Sequence, residues 1–219
     1  MTPSPTRAIA MISGRGSNLQ AILDAITEKN LYLDICAVVT NRCNALGLTL
    51  AKKKSISTHC VDNKDYADRE SYDRALLATM EPYHAELIIM AGFMRILTPA
   101  FIQHYRGKIL NIHPSLLPKY RGLNTHQRAL DNRESEHGAS VHFVTAELDG
   151  GPVIIQSRVP VLNNDSADSL SKRILQQEHK IYPLAIKWFT QGRLKMIGSC
   201  AYLDGKALQK PYEFNETIA

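Results

Sequence analysis

The sequence predicts an α/β protein built on a doubly wound, mostly parallel sheet, with mixed or antiparallel strands added in its C-terminal half. Three observations carry that prediction. Strand-like and helix-like runs alternate as far as residue 113. The run ELIIMAG is continuously apolar, as a strand buried on both faces is. After residue 138 two strand-like runs follow each other with no helix between them, which suits antiparallel or mixed pairing.

Taken in order, RAIAMI (7–12) is a short apolar strand, and NLQAILDAITEKN has the periodicity of an amphipathic helix. DICAVVT (34–40) is a second strand and NALGLTLAKKK a second helix, its lysines at the end where cations suit the helix dipole. ISTHCV (56–61) is a third strand, and YADRESYDRALLATMEPY is helix-like. ELIIMAG (86–92) is the fourth strand. TPAFIQHY opens with a proline at a helix start, and GKILNIH (107–113) is the fifth strand. ASVHFV (139–144) and PVIIQSRVPV (152–161) are the added strands, joined by TAELDGG. DSADSLSKRILQQEHKIYPLAIKWF is a long amphipathic helix capped by Asp165 or Ser166. From Gly198 the chain is polar, and short local structure is expected. No linker or repeat divides the chain, so one domain over 1–219 is the simplest account.

Bulk properties narrow the classes. The chain has 219 residues, 44% of them hydrophobic, enough for one sizeable core. No run of about 18 apolar residues marks a membrane span, and the N-terminus lacks a signal-peptide cleavage pattern; a cytoplasmic location is expected. The net charge is +5, but the basic residues are scattered apart from Lys52-Lys53-Lys54, and no aromatic residues interleave with that run. Nucleic acid is therefore disfavoured, and small anionic substrates suit the balance. None of the four cysteines (Cys36, Cys43, Cys60, Cys200) forms a CxxC, and the spacings suit neither zinc nor a disulfide framework. Cys36 and Cys60, in apolar runs, are expected to be buried free thiols.

Two stretches carry chemistry. Ser13-Gly14-Arg15-Gly16-Ser17-Asn18 joins the first strand to the first helix, where free backbone N–H groups and the helix dipole favour an anion. The Walker pattern fails for want of a lysine. The dinucleotide fingerprint fails because Leu19 holds its third glycine position and Thr40-Asn41-Arg42 supplies no acid after the second strand. A single phosphate remains, beside the plain alternative of a connecting turn. In Asn111-Ile112-His113 the two polar residues are two apart and so share a face of the strand, at the sheet end where α/β proteins bind ligands. Pro114 ends the ladder and Pro118 stiffens the exit. A hydrogen-bonded core pair and an active site both fit. Asp149, in Glu147-Leu148-Asp149-Gly150-Gly151, is the best carboxylate to orient an imidazole and favour its charged form; an ordinary Asp-Gly turn is the alternative. His59 and His142 read as structural, His84, His104 and His137 as surface residues, and His126 and His179 as intermediate.

Together, SGRGSNLQAIL, AGFMRIL (91–97), NIHPSLLPKY, GASVHFVTAELDGGPVI and QEHKIYP (177–183) resemble the folate-dependent formyltransferases, and SGxGSN with the compact length resembles their glycinamide ribonucleotide branch. The likeness spans about residues 7–205. It implies a Rossmann-like formyltransferase fold, with a phosphate- and substrate-binding half (about 1–105) and a folate-binding, catalytic half (about 106–219) flanking a cleft. It implies formyl transfer from 10-formyltetrahydrofolate to the primary amine of glycinamide ribonucleotide, without metal, nucleic acid or membrane, in a monomer or homodimer. Position by position, it implies Asn111, His113 and Asp149 as catalytic, and Gly16, Ser17, Asn18 and Glu178 as substrate-binding. Arg69, Met94, Arg95, Ile96, Leu97 and Asn111 would bind the folate. Arg15, Arg121, Asn124, Ala146 and Leu175 depart from the pattern of close bacterial relatives and bear on affinity. Another folate-dependent formyltransferase, such as one acting on methionyl-tRNA, would need a further C-terminal domain, and a formyltetrahydrofolate hydrolase an N-terminal one. A non-catalytic binding module would bind without turnover.

Overall fold

The computed structural model describes residues 4–215. They fall into two compact units that divide between residues 111 and 112, each with its own network of contacts. Described helices are too short or too polar to cross a membrane.

The first unit alternates strand and helix: β1 (Thr6–Ile12), α1 (Ser17–Thr27), β2 (Leu33–Thr40), α2 (Leu46–Lys53), β3 (Ser57–Cys60), α3 (Arg69–Met80), β4 (Leu87–Met90), α4 (Pro99–His104) and β5 (Ile109–His113), the last running across the unit boundary. Its strands pair in parallel in the order β5-β4-β1-β2-β3. β1 and β4 are buried along their centres, which is why they carry uninterrupted apolar runs. Strand order runs outward from β1 to β3 and then jumps to β4 on the other side of β1. That reversal makes the carboxyl ends of β1 and β4 a topological switch point, where a crevice opens between diverging connections. α3 begins with a capping box between Asp68 and Ser71, and Thr98 caps α4 ahead of Pro99.

The second unit contains α5 (Thr125–Asp131), β6 (Glu136–Phe143), β7 (Val153–Pro160), α6 (Ala167–Thr190), β8 (Leu194–Ile197), β9 (Cys200–Leu203), β10 (Lys206–Ala207) and β11 (Tyr212–Phe214). β6 lies between β5 and β7 and pairs antiparallel with β7, and β11 joins β7 in parallel. Of the two expected caps, Asp165 and Ser166, it is Ser166 that caps α6, through a box with Ser169. α5, β8 and β11 are elements the hydrophobic pattern does not announce, being short and half-polar. β8, β9 and β10 form a separate small sheet, so the expected local structure beyond Gly198 is real; residues 216–219 of that tail lie outside the described ones.

Two expectations are corrected. Cys60 is neither free nor buried: it is exposed and joined to Cys43 in a disulfide with Cα atoms 5.2 Å apart. The β3 run is only half-buried, and the loop after β2 brings Cys43 alongside its end, a juxtaposition that spacing in sequence does not encode. His137 is not on the surface. It is 1% exposed, because β6 starts at Glu136, three residues before its apolar run, and carries His137 into the packed region.

A close approach of two backbones occurs at Gly138 on β6, where an added Cβ would stand 2.0 Å from the carbonyl oxygen of Ser157. Gly138→Ala is expected to cost about 1–3 kcal/mol through forced strand displacement, read as a lower urea midpoint with an unchanged m-value.

Candidate active site

In the first unit the switch point is organised by one hydroxyl. Ser13, buried at the end of β1, donates its backbone N–H to the Gly92 carbonyl (3.1 Å), and its Oγ donates to Asn41 Oδ1 while accepting the Met94 backbone N–H (2.7 Å). The glycine turn and the loop after β4 are thereby joined. Gly16 holds φ +80, and a Cβ there would stand 2.9 Å from the Gly47 Cα, so only glycine fits between the turn and the start of α2. α1 has no side-chain cap, which leaves its first N–H groups directed at the turn. Ser17 opens α1, and Asn18 beside it is buried.

The segment 94–97 follows. Met94 and Ile96 are 57% and 52% exposed, two apolar side chains displayed within one short segment, while Leu97 is buried. Arg69 Nη2 donates to the Leu97 carbonyl (3.2 Å), and the buried Asp73 carboxylate accepts the Thr98 backbone N–H (2.6 Å). Arg69 thus holds this segment's backbone, a positioning task that sequence alone did not suggest. Arg95 lies with its guanidinium carbon 5.4 Å from the Tyr72 ring centroid.

The end of β5 supplies His113, buried, with Asn111 two residues earlier on the same face of the strand. The His113 Nδ1 lies 3.5 Å from Asp149 Oδ2, and its Nε2–H donates to the Tyr120 carbonyl (2.9 Å). Both ring nitrogens therefore face acceptors, an arrangement that an imidazolium satisfies at once. Asp149 sits at φ +47, a left-handed conformation that an aspartate tolerates. The same Oδ2 accepts the Gly122 backbone N–H (2.9 Å). A Cβ on Gly151 would stand 1.8 Å from the Phe143 carbonyl oxygen, so the second glycine of LDGG lets this loop lie flat on β6. Arg121 pairs with Glu147 across the same two loops.

The exit from β5 is held chiefly by side chains of the added strands. Ser140 Oγ donates to the Ser115 carbonyl (2.6 Å) and accepts the Leu117 backbone N–H (3.1 Å), while Gln156 Nε2 donates to the Leu117 carbonyl (2.8 Å). The prolines accompany this buried polar network, and the Leu117–Pro118 peptide is cis.

His142, expected to be structural, is buried on β6 with its Nε2 3.7 Å from Asp149 Oδ1. Its Nδ1–H donates to the Phe143 carbonyl (2.8 Å). Burial pushes its pKa well below the usual imidazole range, so it faces the carboxylate as a neutral ring, outside hydrogen-bond distance. The register of β6 on β7 slips between Val141 and His142, a bulge of the kind that re-aims a side chain. Glu178 is buried on α6.

His126 and His137 lie beside this loop, their ring centroids 5.4 Å apart. Burial lowers the pKa of both, and the His137 value falls to about 4. Below the unfolded imidazole value near 6.5 the unfolded chain takes up protons that the folded one refuses, so stability is whole above that pH and declines toward pH 4. The urea midpoint is expected to fall between pH 7 and pH 5, and His137→Gln should flatten that slope; equal slopes for the two proteins would contradict the assignment.

Comparison with known proteins follows from this geometry. Residues 6–186 match the formyl transferase family. The chain is 52% identical over 200 residues to the phosphoribosylglycinamide formyltransferase of Escherichia coli (strain K12), covering 91% of this chain and 94% of that one. It is 47% identical over 206 residues to the Haemophilus influenzae protein of the same name, covering 94% and 97%. Its fold is similar to that of the Coxiella burnetii phosphoribosylglycinamide formyltransferase, with a TM-score of 0.92 at 46% identity, covering 96% and 100%.

Proposed function

The chain belongs to the formyl transferase family, and from that premise we propose how it works: it moves a formyl group from 10-formyltetrahydrofolate to the primary amine of glycinamide ribonucleotide, a step of purine biosynthesis. The observation that carries the mechanistic reading is the buried His113–Asp149 pair at the end of a strand whose preceding same-face residue is Asn111.

10-Formyltetrahydrofolate, as cosubstrate, supplies the formyl carbon that the amine attacks. The residues present fit it: Met94 and Ile96 offer exposed apolar surface for a flat ring system, on a backbone steadied by Arg69 through Leu97 and bordered by Arg95. Asn111 donates its side-chain amide to the formyl oxygen as that oxygen gains negative charge. His113, protonated on both nitrogens, adds positive charge at the same place and releases a proton toward the departing nitrogen, while the attacking amine gives up a proton that restores the imidazolium. Asp149 fixes the ring's orientation through Nδ1 and balances its charge. Gly16, Ser17 and Asn18 receive the substrate phosphate on backbone N–H groups at the uncapped start of α1. Glu178 binds near the amine-bearing end of the substrate.

In an assay of tetrahydrofolate release with the two substrates, His113→Ala and Asp149→Ala are each expected to lower kcat about 10²–10³-fold with unchanged thermal melting. Near-normal turnover in both would refute the roles given. Ser17→Asp puts an acid where a helix start tolerates one but where it repels a phosphate. Its KM for glycinamide ribonucleotide should rise at least about 10-fold with the melting temperature retained; an unchanged KM would move the phosphate elsewhere.

A further inference from the structure

A polar cavity of about 630 Å³ opens in the first unit beyond the carboxyl ends of β2 and β3; it shares Met94 and Arg95 with the folate surface proposed above, while its other lining residues have no part in that mechanism. Three cationic side chains line it: Arg42 from the loop after β2, Lys64 from the loop after β3, and Arg95. Asp62 is the one carboxylate among the lining residues, and its Oδ1 accepts the Lys64 backbone N–H (3.0 Å). Among the described residues no ion pair includes Arg42, Lys64 or Arg95. The buried Nε of Arg95 has no acceptor there either, an unusual state for a buried donor. The rest of the wall is rich in amides: Asn41 Nδ2 donates to Asn63 Oδ1 (3.3 Å).

Like charges gathered in a concavity focus a positive potential and favour an anion. The volume is that of a small-molecule site rather than of a single ion. No aromatic ring lines it to stack a base, and Met94 is the main apolar contribution. The occupant that fits is a small molecule bearing two or more phosphate or carboxylate groups.

The disulfide supplies a second, independent observation. Cys43 follows Arg42, and Cys60 stands just before the loop carrying Asp62, Asn63 and Lys64. The bond ties together the two loops that present the cations before any ligand arrives, which lowers the ordering cost of binding.

We propose that this cavity binds a small polyanion, gripped by Arg42 and Lys64 on two loops that the Cys43–Cys60 disulfide holds together. Titration calorimetry on the full chain with pyrophosphate and with tricarballylate tests it, and the readout stands whether or not the chain transfers formyl groups. The wild-type protein is expected to bind at least one probe, and which one it binds assigns the phosphate or the carboxylate class. Arg42→Gln/Lys64→Gln should weaken that binding about 10- to 100-fold, while Ser17→Asp, at the glycine turn, leaves it in place. Cys43→Ser/Cys60→Ser should weaken it several-fold. The site is overturned if the wild-type protein binds neither probe at millimolar concentration, if the charge variant binds as tightly as wild type, or if Ser17→Asp abolishes binding. Unchanged affinity in the serine variant overturns the disulfide's part.

Discussion

The contact between Asp149 and His113 is the constraint around which the second unit is arranged. A buried carboxylate is costly without partners, and this one has an imidazole nitrogen at 3.5 Å and a backbone N–H at 2.9 Å. Meeting those partners requires a left-handed aspartate, a Gly151 without Cβ against the Phe143 carbonyl, and a Gly122 whose N–H is turned inward. The imidazole in turn is held from its other side by the Tyr120 carbonyl, so the loop after β5 is part of the same arrangement. Ser140 on β6 and Gln156 on β7 extend it into the antiparallel pair. The hairpin carries Asp149 in its turn and supplies the polar groups that secure the strand exit.

The first unit obeys a simpler rule. Its strand order reverses beside β1, and Ser13 closes backbone and side-chain requirements of both connections there. Arg69 and Asp73, both on α3, hold the backbone of the loop after β4 at Leu97 and Thr98. The exposed side chains of Met94 and Ile96 are therefore mounted on a fixed main chain. Rigid support beneath exposed apolar groups suits the binding of a flat partner, since little order is gained at the moment of binding.

Much of this was legible in the residues. Apolar runs and their spacing marked β1 to β7 and five of the six helices among the described residues to within a few residues, because strand burial and helix amphipathicity are local signals. The period of two along a strand set Asn111 and His113 on one face, and the Asp-Gly-Gly sequence marked a permissive turn. His142 is buried, as its apolar run implies, but its approach to Asp149 is not legible in that run. His137 was misjudged because a strand extended beyond its apolar segment. The Cys43–Cys60 pair was missed because spacing says nothing of which loops meet.

The sequence by itself determined the parallel α/β class, the two glycine turns and the residue types able to stabilise a growing negative charge and move a proton. These follow from local rules of backbone freedom, side-chain period and chemistry. The tertiary structure alone decided which of them meet: that Asp149 reaches His113, that a neutral His142 stands behind it, that Arg69 braces Leu97, and that Arg42 and Lys64 face one cavity across a disulfide. Each of those joins residues far apart in the chain. What brings them together is the burial of strands and the requirement that buried polar groups find partners, and both are properties of the packed molecule as a whole.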